Sequence, residues 1–166
     1  MGEDPRHHLW IGLENAGINI YDPNTNTFQH YQHDPIDPTS LSNNSVHTAY
    51  KDNVGNMWVG TFAGGMNIYK RYSNHFIHFR HTLDSNTLSN NNVLSITEGS
   101  DKKLWIGTDG GGLNRFDPVT GAFHHYRHQE GNPRSICGDY VLCALEDRKG
   151  NVWVGTWADG ITVFRP

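Results

Sequence analysis

Eleven histidines in 166 residues are the side chains whose type and spacing first suggest chemistry. Six of them recur in pairs: His30 and His33, His78 and His81, His125 and His128. Imidazole is a common zinc ligand, but a zinc site needs three or four ligands within about 2 Å of one metal. Side chains three apart on an extended strand fall on opposite faces, and equivalent strands of a repeat point in different directions. The spacing predicts packed or solvated rim residues, with no metal and no cofactor implied.

Acid and base catalysis on a glycosidic bond needs two carboxyl groups converging in a cleft. Glu14, Asp109, Asp139 and Asp159 are the candidates. They are scattered over three repeats, with only Glu14 and Asp109 at equivalent positions, and no Ser-His-Asp or Cys-His grouping accompanies them, so no catalytic residue is expected. The run from Gly107 to Gly112 has neither the helix nor the Lys-Ser/Thr that a phosphate loop requires. Asp22-Pro23-Asn24-Thr25-Asn26 lacks the glycine and the distant bidentate glutamate of a calcium loop. Both read as turns.

Binding chemistry is a different matter. At one topological place in successive repeats stand Glu14, Phe62, Asp109 and Trp157. At a second stand Asn43 and Asn44, Asn90 and Asn91, then Gly138 and Asp139, with Tyr140 where other copies have Ser45 and Asn92. Variation at one fixed place marks a surface free to specialise. Aromatic faces stack on pyranose C–H groups, while amides and carboxylates take the hydroxyls. Glu14, Asn43, Asn44, Phe62, Asn90, Asn91, Asp109, Asp139, Tyr140 and Trp157 therefore form the candidate site for an oligosaccharide. The competing expectation is that Phe62 and Trp157 only cap the packing between repeats.

The elements that must position these residues follow from the repeat itself. Leu9-Trp10-Ile11-Gly12, Met57-Trp58-Val59-Gly60, Leu104-Trp105-Ile106-Gly107 and Val152-Trp153-Val154-Gly155 recur with tryptophans 48, 47 and 48 residues apart. A second run follows each after a Gly-rich turn, as in Gly65-Met66-Asn67-Ile68-Tyr69, predicting a hairpin. A third run, Phe28 to His33, Phe76 to His81 and Phe123 to His128, lies beyond turns punctuated by Pro and Gly. A fourth, Val46 to Tyr50, Val93 to Thr97 and Val141 to Leu145, precedes each tryptophan strand. Four short antiparallel strands per repeat of this length form the blade of a β-propeller, and no segment has helical period.

The predicted architecture is all-β, four blades with the first and last incomplete. They cover 9–33, 46–81, 93–128 and 141–164. The Val46-type strand is innermost, the Trp58 type second, the Ile68 type third, and the Phe76 type outermost. The two sets of candidate residues then share one face, around the channel mouth. The opposite face carries Lys70, Arg71, Lys102, Lys103, Arg148 and Lys149, a solvated set of turns. Incomplete end blades expose sheet faces meant for a neighbour. They predict self-association, most simply two chains head to tail in an eight-bladed ring. A closed four-bladed ring is the rival.

Composition bounds the remaining options. Thirteen Lys and Arg against 17 Asp and Glu leave a net charge of −4, with no positive field to hold nucleic acid. No apolar stretch approaches the roughly 18 residues that span a bilayer. Cys137 and Cys143 would lie up to about 20 Å apart on extended chain, too far for a disulfide unless it folds back.

The motif Asp-x-x-Gly-Asn-hydrophobic-Trp-hydrophobic-Gly-Thr, then Gly-Gly-hydrophobic-Asn-hydrophobic-Tyr/Phe, is met most fully at Asp52 to Tyr69 and Asp147 to Phe164. It resembles the two-component regulator propeller repeat, from Glu3 to Phe164. Leu13 stands where the usual Thr would be, and the Asp4 to His8 turn lacks Gly-Asn. The resemblance implies the periplasmic sensor of a hybrid histidine kinase, for which polysaccharide fragments are the usual signal. It implies a non-enzymatic ligand-binding module. A protein-interaction scaffold is the alternative, and a polysaccharide-cleaving propeller the third reading.

Overall fold

A computed structural model describes residues 1–166 as fifteen β-strands in four sheets. The first sheet holds β1 (Gly2–Glu3), β2 (Leu9–Gly12), β3 (Ile18–Asp22) and β4 (Thr27–Tyr31). The second holds β5 (Val46–Lys51), β6 (Met57–Thr61), β7 (Gly65–Tyr69) and β8 (Phe76–Phe79). The third holds β9 (Val93–Glu98), β10 (Leu104–Thr108), β11 (Leu113–Phe116) and β12 (Phe123–Tyr126). The last has three strands, β13 (Val141–Glu146), β14 (Val152–Thr156) and β15 (Ile161–Phe164). Every pair is antiparallel and joins strands consecutive in the chain. Four meandering sheets of this kind are propeller blades. No helix is present, so none is long and apolar enough to cross a membrane.

Sequence spacing predicts three strands for the first blade, whereas the structure adds β1 in the inner position. Gly2 and Glu3 still pair with Trp10 and Leu9, but β1 is a two-residue stub beside the six residues of β5. That blade is incomplete at its inner edge, and the last blade at its outer edge.

The core lies between blades. Trp10, Ile18 and Ile20 of the first blade pack on Val46, Ala49, Met57, Val59 and Phe76 of the second. Trp58, Met66 and Ile68 then pack on Val93, Ile96, Leu104, Ile106 and Phe116 of the third. Trp105 and Leu113 pack on Val141, Ala144, Val152 and Val154 of the fourth. Each tryptophan thus faces the next blade, which explains its recurrence once per repeat. The glycine two residues after it is explained by close approach: a Cβ on Gly60 would sit 2.5 Å from Cγ1 of Val93.

The blade-to-blade series ends at an uncovered sheet. On the last blade Leu145, Trp153, Ile161 and Val163 are exposed. At the other end Phe28 is 52% exposed where its counterpart Phe76 is 2% exposed. The four blades form an open arc.

The paired histidines are part of this architecture. Nδ1–H of His33, His81 and His128 donates to the carbonyls of Leu41, Leu88 and Ile136, at 2.8, 2.8 and 2.9 Å. Nε2–H of His78 and His125 donates to the carbonyls of Ser40 and Thr87, at 2.7 and 2.8 Å. His30 instead meets Asn19 Oδ1 at 2.6 Å.

Candidate functional site

Three of the four candidate residues on the turns between second and third strands are pinned through their backbone, while beside Glu14 it is the Asn15 N–H that donates, to Ser45 Oγ at 3.2 Å. Phe62 N–H donates to the Ser45 carbonyl, Asp109 N–H to Asn92 and Trp157 N–H to Tyr140, at 2.9, 3.0 and 2.9 Å. The main chain is held by the loop entering the inner strand, and of the side chains only Asp109 joins in, its Oδ2 accepting Asn92 Nδ2–H at 3.4 Å. That is why Phe62, Asp109 and Trp157 can differ without unfolding the blade.

The loop residues are used otherwise. Oδ1 of Asn44, Asn91 and Asp139 accepts the backbone N–H of His33, His81 and His128, at 2.7 Å in each case. Their carbonyls take the N–H of Gly17, Gly65 and Gly112 at 2.7, 2.8 and 2.8 Å. Asn43 and Asn90 close tight local turns, each Oδ1 accepting the N–H two residues on, at 2.8 and 2.7 Å. These five side chains have acceptors committed to the scaffold, so they hold the mouth in shape.

What the structure gathers on the mouth falls into two clefts. Asp109, Tyr140 and Trp157 line one of about 650 Å3, together with Leu94, Leu142, Ala158 and Asp159. Tyr140 is 54% and Trp157 76% exposed there, and Asp109 and Tyr140 are bridged across the blade boundary. Glu14 and Phe62 line a second cleft of about 350 Å3 with Asn15, Ser45, Val46 and His47. Phe62 sits edge-on to His47, the ring centroids 6.1 Å apart.

Leu94, Leu142 and His47 escape a reading of the repeat, and a single irregularity accounts for all three. Pairing steps from Val46 to Thr48, from Val93 to Ser95 and from Val141 to Cys143 against consecutive residues of the second strand. The residue between is skipped in each case, which is a β-bulge, and a bulge re-aims the side chain it leaves unpaired. The signal in the sequence is the residue after the first valine of each inner strand.

The arrangement offers apolar and aromatic surface flanked by the carboxylates of Asp109 and Asp159. It suits a ligand with alternating apolar and hydroxylated faces. No three His, Cys, Asp or Glu side chains are gathered as metal ligands.

Known proteins place this geometry in context. Residues 40–63, 87–110 and 135–158 match the family described as two component regulator propeller. The chain superposes over 98% of its length, with TM-score 0.83 and 30% identity, on the extracellular domain of BT3049 from B. thetaiotaomicron, described as a hybrid two component system. The extracellular domain of BT4673 from the same organism matches 97% of the chain at TM-score 0.58 and 24% identity. PorZ of Porphyromonas gingivalis, described as a surface component of the type-IX secretion system, matches 98% at TM-score 0.69 and 18% identity. The likeness to the last two is one of fold. The chain spans 21%, 27% and 25% of these three proteins. No curated protein sequence matches it.

Proposed function

We propose that this chain, three segments of which match the two component regulator propeller family, is a non-enzymatic, ligand-binding part of a sensor that takes an oligosaccharide at the channel mouth. The observation that carries this reading is the pair of exposed aromatic rings, Tyr140 and Trp157, in one cleft with Asp109 and Asp159. Stacking surface and hydroxyl acceptors stand side by side there, on a backbone that is held rigid without them. The likeness to an extracellular domain at 30% identity supports an extracytoplasmic, periplasmic setting, where polysaccharide fragments would meet it.

A glycan array tests the reading, followed by titration of the best oligosaccharide. Trp157→Ala is expected to weaken binding about fivefold, since a lost aromatic contact costs about 1 kcal/mol. The melting temperature should not move, because the ring touches little of the core. Binding unchanged with a lowered melting temperature would make Trp157 a packing residue. New reducing ends after incubation with polysaccharide would favour the cleaving enzyme instead.

A second reading, a scaffold that self-assembles, is favoured by the uncovered faces at Trp153, Ile161 and Val163 and at Phe28. Trp153 occupies the place that Trp10, Trp58 and Trp105 fill when they pack on the next blade. Two chains paired head to tail would cover both faces in one eight-bladed ring. Sedimentation at micromolar concentration should show twice the 18.8 kDa chain mass. A stable monomer that binds no hydrophobic dye would rule the ring out.

A further inference from the structure

From the first blade to the last, the turn between second and third strands carries Glu14, Phe62, Asp109 and Trp157. Acid and aromatic alternate, so the pattern repeats every second blade. Each mouth cleft spans one blade boundary, and the alternation gives both the same plan. The acid comes from the earlier blade and the ring from the later one: Glu14 with Phe62, and Asp109 with Trp157.

The scaffold beneath is shared as well. Phe62 N–H donates to the Ser45 carbonyl and Trp157 N–H to the Tyr140 carbonyl, each at 2.9 Å, which seats each ring beside the loop entering its own blade. Both rings are exposed. The residue that the bulge leaves unpaired on the later blade's inner strand completes each cleft, His47 in one and Leu142 in the other.

The boundary between the second and third blades has the opposite order, Phe62 before Asp109. There Asn92 ties the two turns together, its Oδ1 accepting the Ala63 N–H and its Nδ2 donating to Asp109 Oδ2. The amide is used by the scaffold, which leaves two equivalent clefts with one boundary between them.

One difference separates the two. His47 Nδ1–H donates to the Val93 carbonyl at 3.3 Å, a bond that leaves Nε2 of the neutral ring as an acceptor. Leu142 offers no such group. The cleft of Glu14 therefore has a second acceptor for hydroxyls, and the cleft of Trp157 has more apolar surface. Neither is lined by Lys or Arg, so the carboxylates have no cation to balance a negatively charged ligand, and like charge is a means of rejecting one.

We propose that the cleft of Glu14, Phe62 and His47 is a second glycan subsite, and that one uncharged oligosaccharide is held at both clefts at once. This rests on the oligosaccharide reading of the mouth. Linking two weak contacts raises affinity through effective concentration when the ligand reaches both sites.

The test titrates cello-, manno-, xylo- and arabino-oligosaccharides, from disaccharide to octasaccharide, into the whole chain by calorimetry. In at least one series, affinity is expected to rise about tenfold or more once the ligand spans both clefts, with one ligand bound per chain. Phe62→Ala should remove that rise and leave the melting temperature in place, because its ring is exposed. If that variant does not fold, Glu14→Gln must still weaken the octasaccharide about threefold or more. Oligogalacturonate of equal length should bind about tenfold more weakly than the neutral chain. Affinity independent of length, an octasaccharide that both variants bind unchanged, or equal binding of the uronate overturns the proposal, while the single site at Trp157 stands. No binding in any series also overturns it, and the glycan array then decides separately whether the mouth takes an oligosaccharide at all.

Discussion

Replacing Trp105 with alanine is expected to cost about 3–5 kcal/mol of folding free energy, the range for a large aromatic removed from a core. Trp105 is fully buried between the third and fourth blades. Tyr126 and Phe164 lie 5.6 and 6.1 Å from its ring, and the Arg115 guanidinium lies 4.9 Å over it. Its indole N–H donates to Glu146 Oε2 of the following blade at 3.3 Å. The Ser100 hydroxyl on the same carboxylate, and after it this indole, hold Glu146 below the usual carboxylate range. One substitution thus empties a cavity and removes a hydrogen bond that crosses the blade boundary. In an array of repeats, stability sums over units and their interfaces, so the loss falls on one interface. Trp153→Ala is the control: the same motif position, but 45% exposed, should cost only about 1–2 kcal/mol. Chemical denaturation of the two variants measures both, and equal losses would mean that packing between blades is not what the tryptophan contributes.

The period and the apolar pattern made the blades legible, because each tryptophan strand is flanked by turns rich in Gly, Pro and Asn that leave little choice of pairing. The mouth was legible only in part. Variation at Glu14, Phe62, Asp109 and Trp157 is visible in an alignment of the repeats with one another, and it coincides with side chains of which only Asp109 is hydrogen-bonded to the scaffold, by Asn92. Asn44 and Asn91 look identical to binding amides in sequence. Only their hydrogen bonds to the His33 and His81 backbones show that the scaffold uses them. Leu94 and Leu142 were hidden for a different reason: strict alternation would turn them away, and a bulge changes where they point. The partner of Trp105 was hidden by a local exchange. The other tryptophans use a carboxylate from their own turn, Asp4, Asp52 and Asp147. Gly99 occupies that place in the third blade, so the acceptor comes from the neighbour.

Asn114→Ala should be nearly as costly, about 2–4 kcal/mol, and for a reason that periodicity cannot reveal. Asn114 is fully buried in the third strand of its blade. Its Oδ1 accepts the Ser89 N–H at 2.9 Å, and its Nδ2 donates to Ser89 Oγ and the Ile106 carbonyl at 2.7 and 3.4 Å. Asn67 makes the same three bonds to Ser42 and Val59, at 3.0, 2.8 and 3.3 Å. In the last blade Thr162 stands in this place, its hydroxyl accepting the Cys137 N–H at 2.8 Å. The asparagine therefore ties the loop that enters each inner strand to the third strand of the same blade. Alanine would leave the buried Ser89 N–H without a partner, and a stranded buried donor costs about 1–3 kcal/mol before any cavity is counted. Asn19 is the internal comparison, since its side chain meets the exposed His30 instead. Asn19→Ala should cost under about 1 kcal/mol. A similar small loss at both positions, measured by urea denaturation, would show that the buried amide is replaceable by water and that the loop is held by its backbone alone.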